Sequence, residues 1–209
     1  MKNLILLGAP GCGKGTQSAI LAREMNYGHV STGNLLRDEI AKGSELGTRV
    51  KSVMDAGQLV SDDLVVDILE ANLDLNSRAY IFDGYPRNEA QAETLNGILG
   101  DHEYLAVLFK LDTDNLVERL TNRRVTRDGK HIYNLKTNPP KVEGVCDITG
   151  EELVQRDDDK EEVVRDRMKV FDDTMGPVIS KYRNSGRLVE VDAAQDPQDV
   201  FDQILSKIN

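Results

Sequence analysis

The sequence predicts an α/β fold in which a parallel sheet, flanked by helices, carries a phosphate-binding loop. Three observations point there. Short apolar runs alternate with amphipathic segments along the chain, which is how buried strands and the helices covering them read. The first run, LILL at 4–7, enters a glycine loop, GAPGCGKGT at 8–16. A later run, YIFD at 80–83, ends on an acid, as the strand beside such a loop does. At 209 residues the chain suits one domain with insertions, and 39% hydrophobic residues can fill its core.

Strands are expected at 3–7, a short 29–30, 80–82, 105–110 and 188–191. The first helix, 14–25, follows the glycine loop. The next, 62–73, has Ser61 as N-cap and acids in its first turn, which suit the positive helix start. Helices at 88–99 and 115–122 follow, the latter capped by Thr113 or Asp114. A long helix spans 160–183. The last begins at Asp196-Pro197, an N-cap with proline at the first helical position. Two stretches exceed a minimal strand–helix repeat. Residues 31–60 hold STGNLLRDEI and a helical piece at 46–56 between Gly43 and Gly57. Residues 123–159 are rich in Gly, Pro, Asn and Asp, with β-like pieces such as HIY at 131–133. Inserts this long inside a compact domain are usually lids or binding elements.

Composition removes several classes. A formal net charge of −10 argues against a nucleic-acid binder. The run at 4–7 is far too short for a signal peptide, and no stretch approaches the ~18–20 apolar residues of a membrane span. A cytoplasmic protein without a membrane partner is expected. There Cys12 and Cys146 are expected to be free thiols.

Against G-x-x-x-x-G-K-[ST], the loop matches at Gly8, Gly13 and Lys14, but Gly15 stands where a hydroxyl is expected and Thr16 follows. Glycines let successive N–H groups turn onto phosphate oxygens, and the helix start adds its dipole. Lys14 supplies a point charge for the β- and γ-phosphates. An ordinary P-loop uses the missing hydroxyl as a magnesium ligand. Here magnesium is expected to rely on phosphates and water, with Asp83 orienting the water shell. Asp83 runs on into DGYPR at 83–87, placing Arg87 at the sheet's ligand edge. An N-K-x-D guanine reader, a correctly spaced D-x-x-G and an L-S-G-G-Q-like stretch are all missing from the sequence, so GTP switches and transport ATPases fall away.

The acceptor is expected to be a phosphate, because arginines cluster beside the inserts. Arg37 lies in the first insert, Arg87 at the strand end, and Arg119, Arg123 and Arg124 at the start of the second insert. Arg156 ends that insert, and Arg165 and Arg167 follow on the long helix. Residues 119 and 123 are expected on one helix face. Arg23, Arg49, Arg183 and Arg187 read as surface residues. A donor triphosphate facing an acceptor phosphate gathers roughly six negative charges and leaves little covalent chemistry to the protein. Guanidinium forks suit that task, and a simple hydrolase needs fewer of them.

With these pieces in order, the chain resembles the adenylate kinases over essentially its whole length. The matching segments are GAPGCGKGT (8–16), STGNLLR (31–37), DAGQLV (55–60), DGYPR (83–87) with Gln91, NRR (122–124), NPPK (138–141) and QRDDD (155–159). The resemblance implies a P-loop NTPase-type, five-stranded parallel sheet with two moving flaps. The core would be 1–30, 61–121 and 160–209, the monophosphate flap 31–60, and the lid over ATP 122–159. It implies reversible phosphoryl transfer from ATP to AMP, giving two ADP, with magnesium, in a monomer.

Carried over by position, the resemblance implies ATP contacts from Gly11, Cys12, Gly13, Lys14, Gly15 and Thr16. Arg119, Arg123, Ile132, Tyr133 and the Gln195 backbone would complete the ATP site. AMP would meet Thr32, Arg37, Gln58, Leu59, Val60, Gly84, Tyr85, Pro86, Arg87 and Gln91, with Gln91 reading the adenine. Arg156 and Arg167 would bridge to the transferring group or AMP. Lys14, Arg87, Arg123, Arg156 and Arg167 would be catalytic. The alternatives are another nucleoside monophosphate kinase of UMP/CMP type, or a nucleotide-binding regulator without turnover. Gln91 and the long lid favour the first reading, and an intact Lys14, Asp83 and arginine set weighs against the regulator.

The chain departs from the family in places. The first insert more often reads S-T-G-D, and here Asn34 replaces the acid. Some members hold a lid zinc with a C-x-x-C pair and a second pair about sixteen residues on. Those positions are Thr126, Gly129, Cys146 and Thr149 here, a set that cannot build a tetrahedral zinc site. The lid is expected to hold by hydrogen bonds and packing, without zinc. Asp157, Asp158 and Asp159 read either as a solvated charge run or as a latch pairing with arginines. His29 and His102 read as an unremarkable strand end and a surface loop.

Overall fold

The computed structural model describes residues 1–43, 45–56, 58, 60–71 and 73–208. Chain order begins β1 Asn3–Leu7, α1 Lys14–Met25, β2 Gly28–Ser31, α2 Thr32–Ala41, α3 Glu45–Asp55 and α4 Asp62–Glu70. It continues β3 Tyr80–Asp83, α5 Glu89–Leu99, β4 Tyr104–Lys110, α6 Thr113–Thr121, β5 Arg123–Val125 and β6 Ile132–Asn134. A single 3₁₀ turn at Asp157–Asp159 leads into α7 Glu161–Asn184, β7 Leu188–Asp192 and α8 Pro197–Ile208.

The five expected strands form one sheet, ordered β2-β3-β1-β4-β7, with every pairing parallel. Successive residues of a strand face opposite sides, and β1 shows it. Leu4 and Leu6 join one buried cluster with Leu21, Leu120, Val164 and Ile204, whereas Ile5 and Leu7 join another with Leu95, Leu99 and Val178. Both faces are covered by helices, so β1 is apolar throughout. Its carboxyl end, between the outgoing β3 and β4, is the topological switch where open α/β sheets bind ligands.

Several boundaries moved for local reasons. Helix α4 stops at Glu70 rather than 73, because Leu73 N–H bonds the Glu70 carbonyl in a tighter turn. Asp112, not Thr113 or Asp114, caps α6. Its extended backbone lets the carboxylate accept from Asn115 N–H at 3.0 Å. Because α6 ends at Thr121, Arg123 stands on β5, and the expected shared helix face of 119 and 123 does not form. Ser61 precedes α4 without a side-chain capping bond. Pro197 opens α8 as expected, with Asp196 accepting from Val200 N–H. Gly57, which was expected to close the helical piece of the first insert, lies outside the described residues.

The second insert has its own small core of Tyr133, Cys146 and Leu153 under the antiparallel β5–β6 pair. Two of the zinc-type positions take part in other bonds. Thr126 Oγ1 donates to Asp128 at 2.6 Å and accepts from His131 N–H at 3.1 Å. Cys146 Sγ lies 3.6 Å from the Tyr133 hydroxyl, which accepts from Asp147 N–H. Both cysteines are free and buried. Among the described residues, no helix is long and apolar enough to cross a membrane.

Leu120 is buried on the last turn of α6 and presses on the glycine loop, where a side chain at Gly11 (φ 84°) would meet Leu120 Cγ at 2.7 Å. The loop geometry thus depends on this helix. Leu120→Ala is expected to lower unfolding free energy by about 2–5 kcal/mol, read from urea denaturation. A loss well under 1 kcal/mol would mean the site collapses around the change.

Candidate active site

A cleft of about 890 Å³ opens at the carboxyl edge of the sheet. Its floor is the loop between β1 and α1. Gly13 adopts a left-handed conformation (φ 99°) to start α1, so the helix amides face the cleft. Lys14 Nζ donates to the carbonyls of Gly8 (2.7 Å) and Ala9 (3.0 Å) and lies 3.6 Å from Cys12 Sγ. Asp83 ends β3 across from the loop, with Oδ2 3.7 Å from where a Gly15 side chain would begin. Burial pushes the Asp83 pKa up, but His29, Lys14 and Arg87 outweigh it and keep the carboxyl below its ordinary value. His29 Nε2 lies 3.7 Å from Asp83 Oδ2. Sequence reading passed over His29, because nothing local says that β2 will pair with β3.

Five arginines converge above the loop. Arg87 Nε donates to the Gly84 carbonyl at 2.7 Å, and Thr32 Oγ1 donates to that same carbonyl at 2.9 Å. Arg123 grips Asp159 with two bonds, Nε–Oδ2 at 2.7 Å and Nη2–Oδ1 at 2.5 Å. Arg167 bridges Asp158 Oδ2 (3.0 Å) and Asp159 Oδ1 (3.5 Å). Arg37 lies 3.6 Å from Asp158 and donates to Asn34 Oδ1 at 3.2 Å. Arg156 Nε is buried and has no hydrogen-bond partner among the described residues. Burial and then the neighbouring Arg123 and Arg37 charges press the Arg156 pKa down to about 9. Burial, then Arg167, brings Arg87 to about 10. Both stay cationic at neutral pH in crowded positive surroundings.

Every described residue expected at the ATP or AMP site lines this cleft or the adjoining cavity around Thr32, Gln58, Val60 and Gln91. Leu59 lies outside the described residues. Ile132, 41% exposed, and Tyr133 line the cleft from the second insert, and Gln195 lines it from the loop before α8. Other expectations failed. Arg124 spends its guanidinium on the Thr121 and Arg123 carbonyls, and Arg165 pairs with Glu161 on the surface. Arg23, Arg49, Arg183 and Arg187 are exposed, as read. Of the acidic run, Asp158 and Asp159 are buried among arginines, while Asp157 is exposed and pairs with Lys160 and Lys51.

The two inserts meet over the cleft. A side chain at Gly129 (φ 72°) of the second would lie 3.3 Å from Arg156 Nη2 of the same insert and in ordinary contact, 3.9 Å, with Asn34 Oδ1 of the first. The left-handed backbone at this position favours glycine.

A phosphate loop at the switch point of a parallel sheet, faced by arginines from two inserts, makes this a P-loop phosphotransferase. Comparison with known proteins narrows the class. The adenylate kinase family profile matches residues 6–187. The chain is 43% identical to an adenylate kinase of Thermosipho melanesiensis over 99% of both chains. It is 41% identical to one of Petrotoga mobilis over 97% of this chain and 95% of that one. It is 42% identical to one of Methanothrix thermoacetophila over 97% and 96% respectively. The chain belongs to the adenylate kinase family.

Burial raises the Asp158 pKa, but Arg167, Arg37, Arg123 and Arg156 outweigh it and hold it below the ordinary value. A carboxylate so lowered contributes stability that is full above its unfolded pKa, about 4, and is lost as pH falls through its folded value. Asp158→Asn is therefore expected to lower stability at neutral pH by about 2 kcal/mol. It should also flatten the loss of stability below about pH 4, both read from urea midpoints across pH. An unchanged acid profile contradicts the pairing.

Proposed function

We propose that the protein transfers the terminal phosphoryl group of ATP to AMP, reversibly, giving two ADP. The observation that carries this reading is the convergence of Arg37, Arg87, Arg123, Arg156 and Arg167 on the phosphate loop, with two carboxylates, Asp158 and Asp159, among them. Such a cluster is short of negative charge, and a donor triphosphate opposite an acceptor phosphate supplies it.

Residues 31–60 serve as the AMP flap and 122–159 as the ATP lid, on a core of 1–30, 61–121 and 160–209. Gly11 to Thr16 hold the donor phosphates, with Lys14 leaving the loop carbonyls for phosphate oxygens. Arg119, Arg123, Ile132, Tyr133 and the Gln195 backbone complete the ATP site. Thr32, Arg37, Gln58, Leu59, Val60, Gly84, Tyr85, Pro86, Arg87 and Gln91 hold AMP. Arg156 and Arg167 bridge the transferring group. The contact between Gly129 and the Asn34 region supports a closure that excludes water, so that AMP rather than water takes the phosphoryl group. In-line transfer then needs positioning and charge stabilisation, with no covalent intermediate on the protein.

Magnesium fits this site through water. Asp83 faces the loop, is held ionised, and stands opposite the side-chain-free Gly15. Magnesium keeps several waters and binds through one or two carboxylates plus substrate phosphates. Held there, it would offset the negative charge of the substrate phosphates. The resemblance supports a monomer, and the cytoplasm is the compartment we propose for it.

A coupled assay offering AMP, GMP, CMP and UMP with ATP tests the reading. Turnover with AMP far above the others is expected, and preference for UMP or CMP, or no turnover, overturns it. Arg123→Ala and Arg156→Ala should each cut kcat by on the order of 10³ with the fold retained by circular dichroism. Near-wild-type turnover in both contradicts the assignment.

A further inference from the structure

Gln91 lies between two groups that each bond in one direction only. Its Oε1 accepts from the Arg87 backbone N–H at 2.7 Å, and its Nε2 donates to Asp62 Oδ1 at 2.5 Å. A backbone N–H only donates and an ionised carboxylate only accepts. Turning the amide over would set nitrogen against the N–H and oxygen against the carboxylate. One of its two orientations is therefore selected. Asp62 is the first residue of α4 and reaches the start of α5. Asn88 holds it there, with Nδ2 3.4 and 3.5 Å from the two Asp62 oxygens, while its Oδ1 caps α5 by accepting from Gln91 N–H at 2.8 Å. Gln91 is 3% exposed, so little water competes, yet it lines the cavity shared with Thr32, Arg37, Gln58 and Val60.

Helix capping explains half of this. Asn88-x-x-Gln91 has the capping-box pattern, although Gln91 reaches one residue further back than the N-cap, to Arg87 N–H. A glutamate would cap equally well. It could not donate to Asp62. The contact with Asp62 serves the amide's orientation, which capping does not require.

We infer that Asp62 is a specificity-determining positioning residue, which fixes the Gln91 amide so that the site takes 6-amino purine monophosphates and refuses 6-oxo ones. This rests on Gln91 facing the base, as in the proposed function. An amide has two oxygen lone pairs and two nitrogen-bound hydrogens. One of each is used inside the protein, which leaves one acceptor and one donor. The adenine edge offers a donor, the 6-amino group, beside an acceptor, N1. Hypoxanthine and guanine offer the reverse, an acceptor beside a donor. A free amide would satisfy either by turning over. A locked amide meets 6-oxo bases with both pairs mismatched, the case in which a polar site discriminates best.

The test compares AMP with inosine monophosphate, which reverses the edge without adding the 2-amino group of guanine. In Asp62→Ala the AMP/IMP ratio of kcat/KM is expected to fall about tenfold. The change should appear mainly in KM for the monophosphate, with KM for ATP steady. Asp62→Asn, which keeps an acceptor in place, should restore most of the discrimination. Adding Asp62→Ala to Gln91→Ala should change the ratio no further. If Gln91→Ala lowers the ratio and Asp62→Ala leaves it untouched, the inference falls and the proposed function stands. If Gln91→Ala itself leaves the ratio untouched, the reading of Gln91 as the base reader falls, and this inference falls with it. Thermal unfolding of each variant separates these outcomes from loss of fold.

Discussion

Crowded positive charge is the constraint on which this structure turns. Arg37, Arg87, Arg123, Arg156 and Arg167 come from four different parts of the chain, and burial together with one another's fields lowers the pKa of four of them. Left alone such a cluster would push itself apart. Asp158 and Asp159 hold it, with Asp159 fully buried and bonded to Arg123 and Arg167 at once. Two carboxylates among five guanidiniums leave the site short of negative charge. Arg156 Nε, buried with no hydrogen-bond partner among the described residues, is the local sign of that shortage. On the proposed reading, phosphate oxygens of the substrates relieve it.

The sheet supplies the fixed frame against which that charge acts. The parallel register brings the loop after β1 and the carboxylate ending β3 to the same edge. Leu120 fixes the loop from behind, and Gln17, buried in α1, donates to the Pro197 carbonyl at 2.8 Å and ties the loop's helix to α8. Arg37, Arg123 and Arg156, by contrast, sit on the inserts, while Arg87 follows β3 and Arg167 stands on α7. On the proposed reading, a fixed loop and two movable inserts separate two tasks that conflict within one rigid element. Closure must exclude water, and opening must release product.

Much of this was legible in the sequence, because the signals were local. The glycine loop, the apolar strands and the proline start of α8 each depend on neighbours a few residues away. What escaped depended on pairing across the fold. His29 looked like a strand end until β2 lay beside β3. The acidic run gave two readings, and only the packing of the 3₁₀ turn against α7 and Arg37 separated exposed Asp157 from its buried neighbours. Arg119 and Arg123 fitted a helical spacing, yet α6 ends between them and β5 begins at Arg123. Asp62 read as an N-terminal helix acid, and its carboxylate instead reaches a residue 29 positions away.

The central claim is that the arginine cluster and the meeting inserts deliver the phosphoryl group to a nucleotide acceptor rather than to water. Partition of label from γ-labelled ATP measures this most directly. With AMP present, label should pass into ADP at least about a hundredfold faster than into inorganic phosphate. Without AMP, release of inorganic phosphate should stay slow. Rapid release of labelled phosphate that is indifferent to AMP would contradict the account.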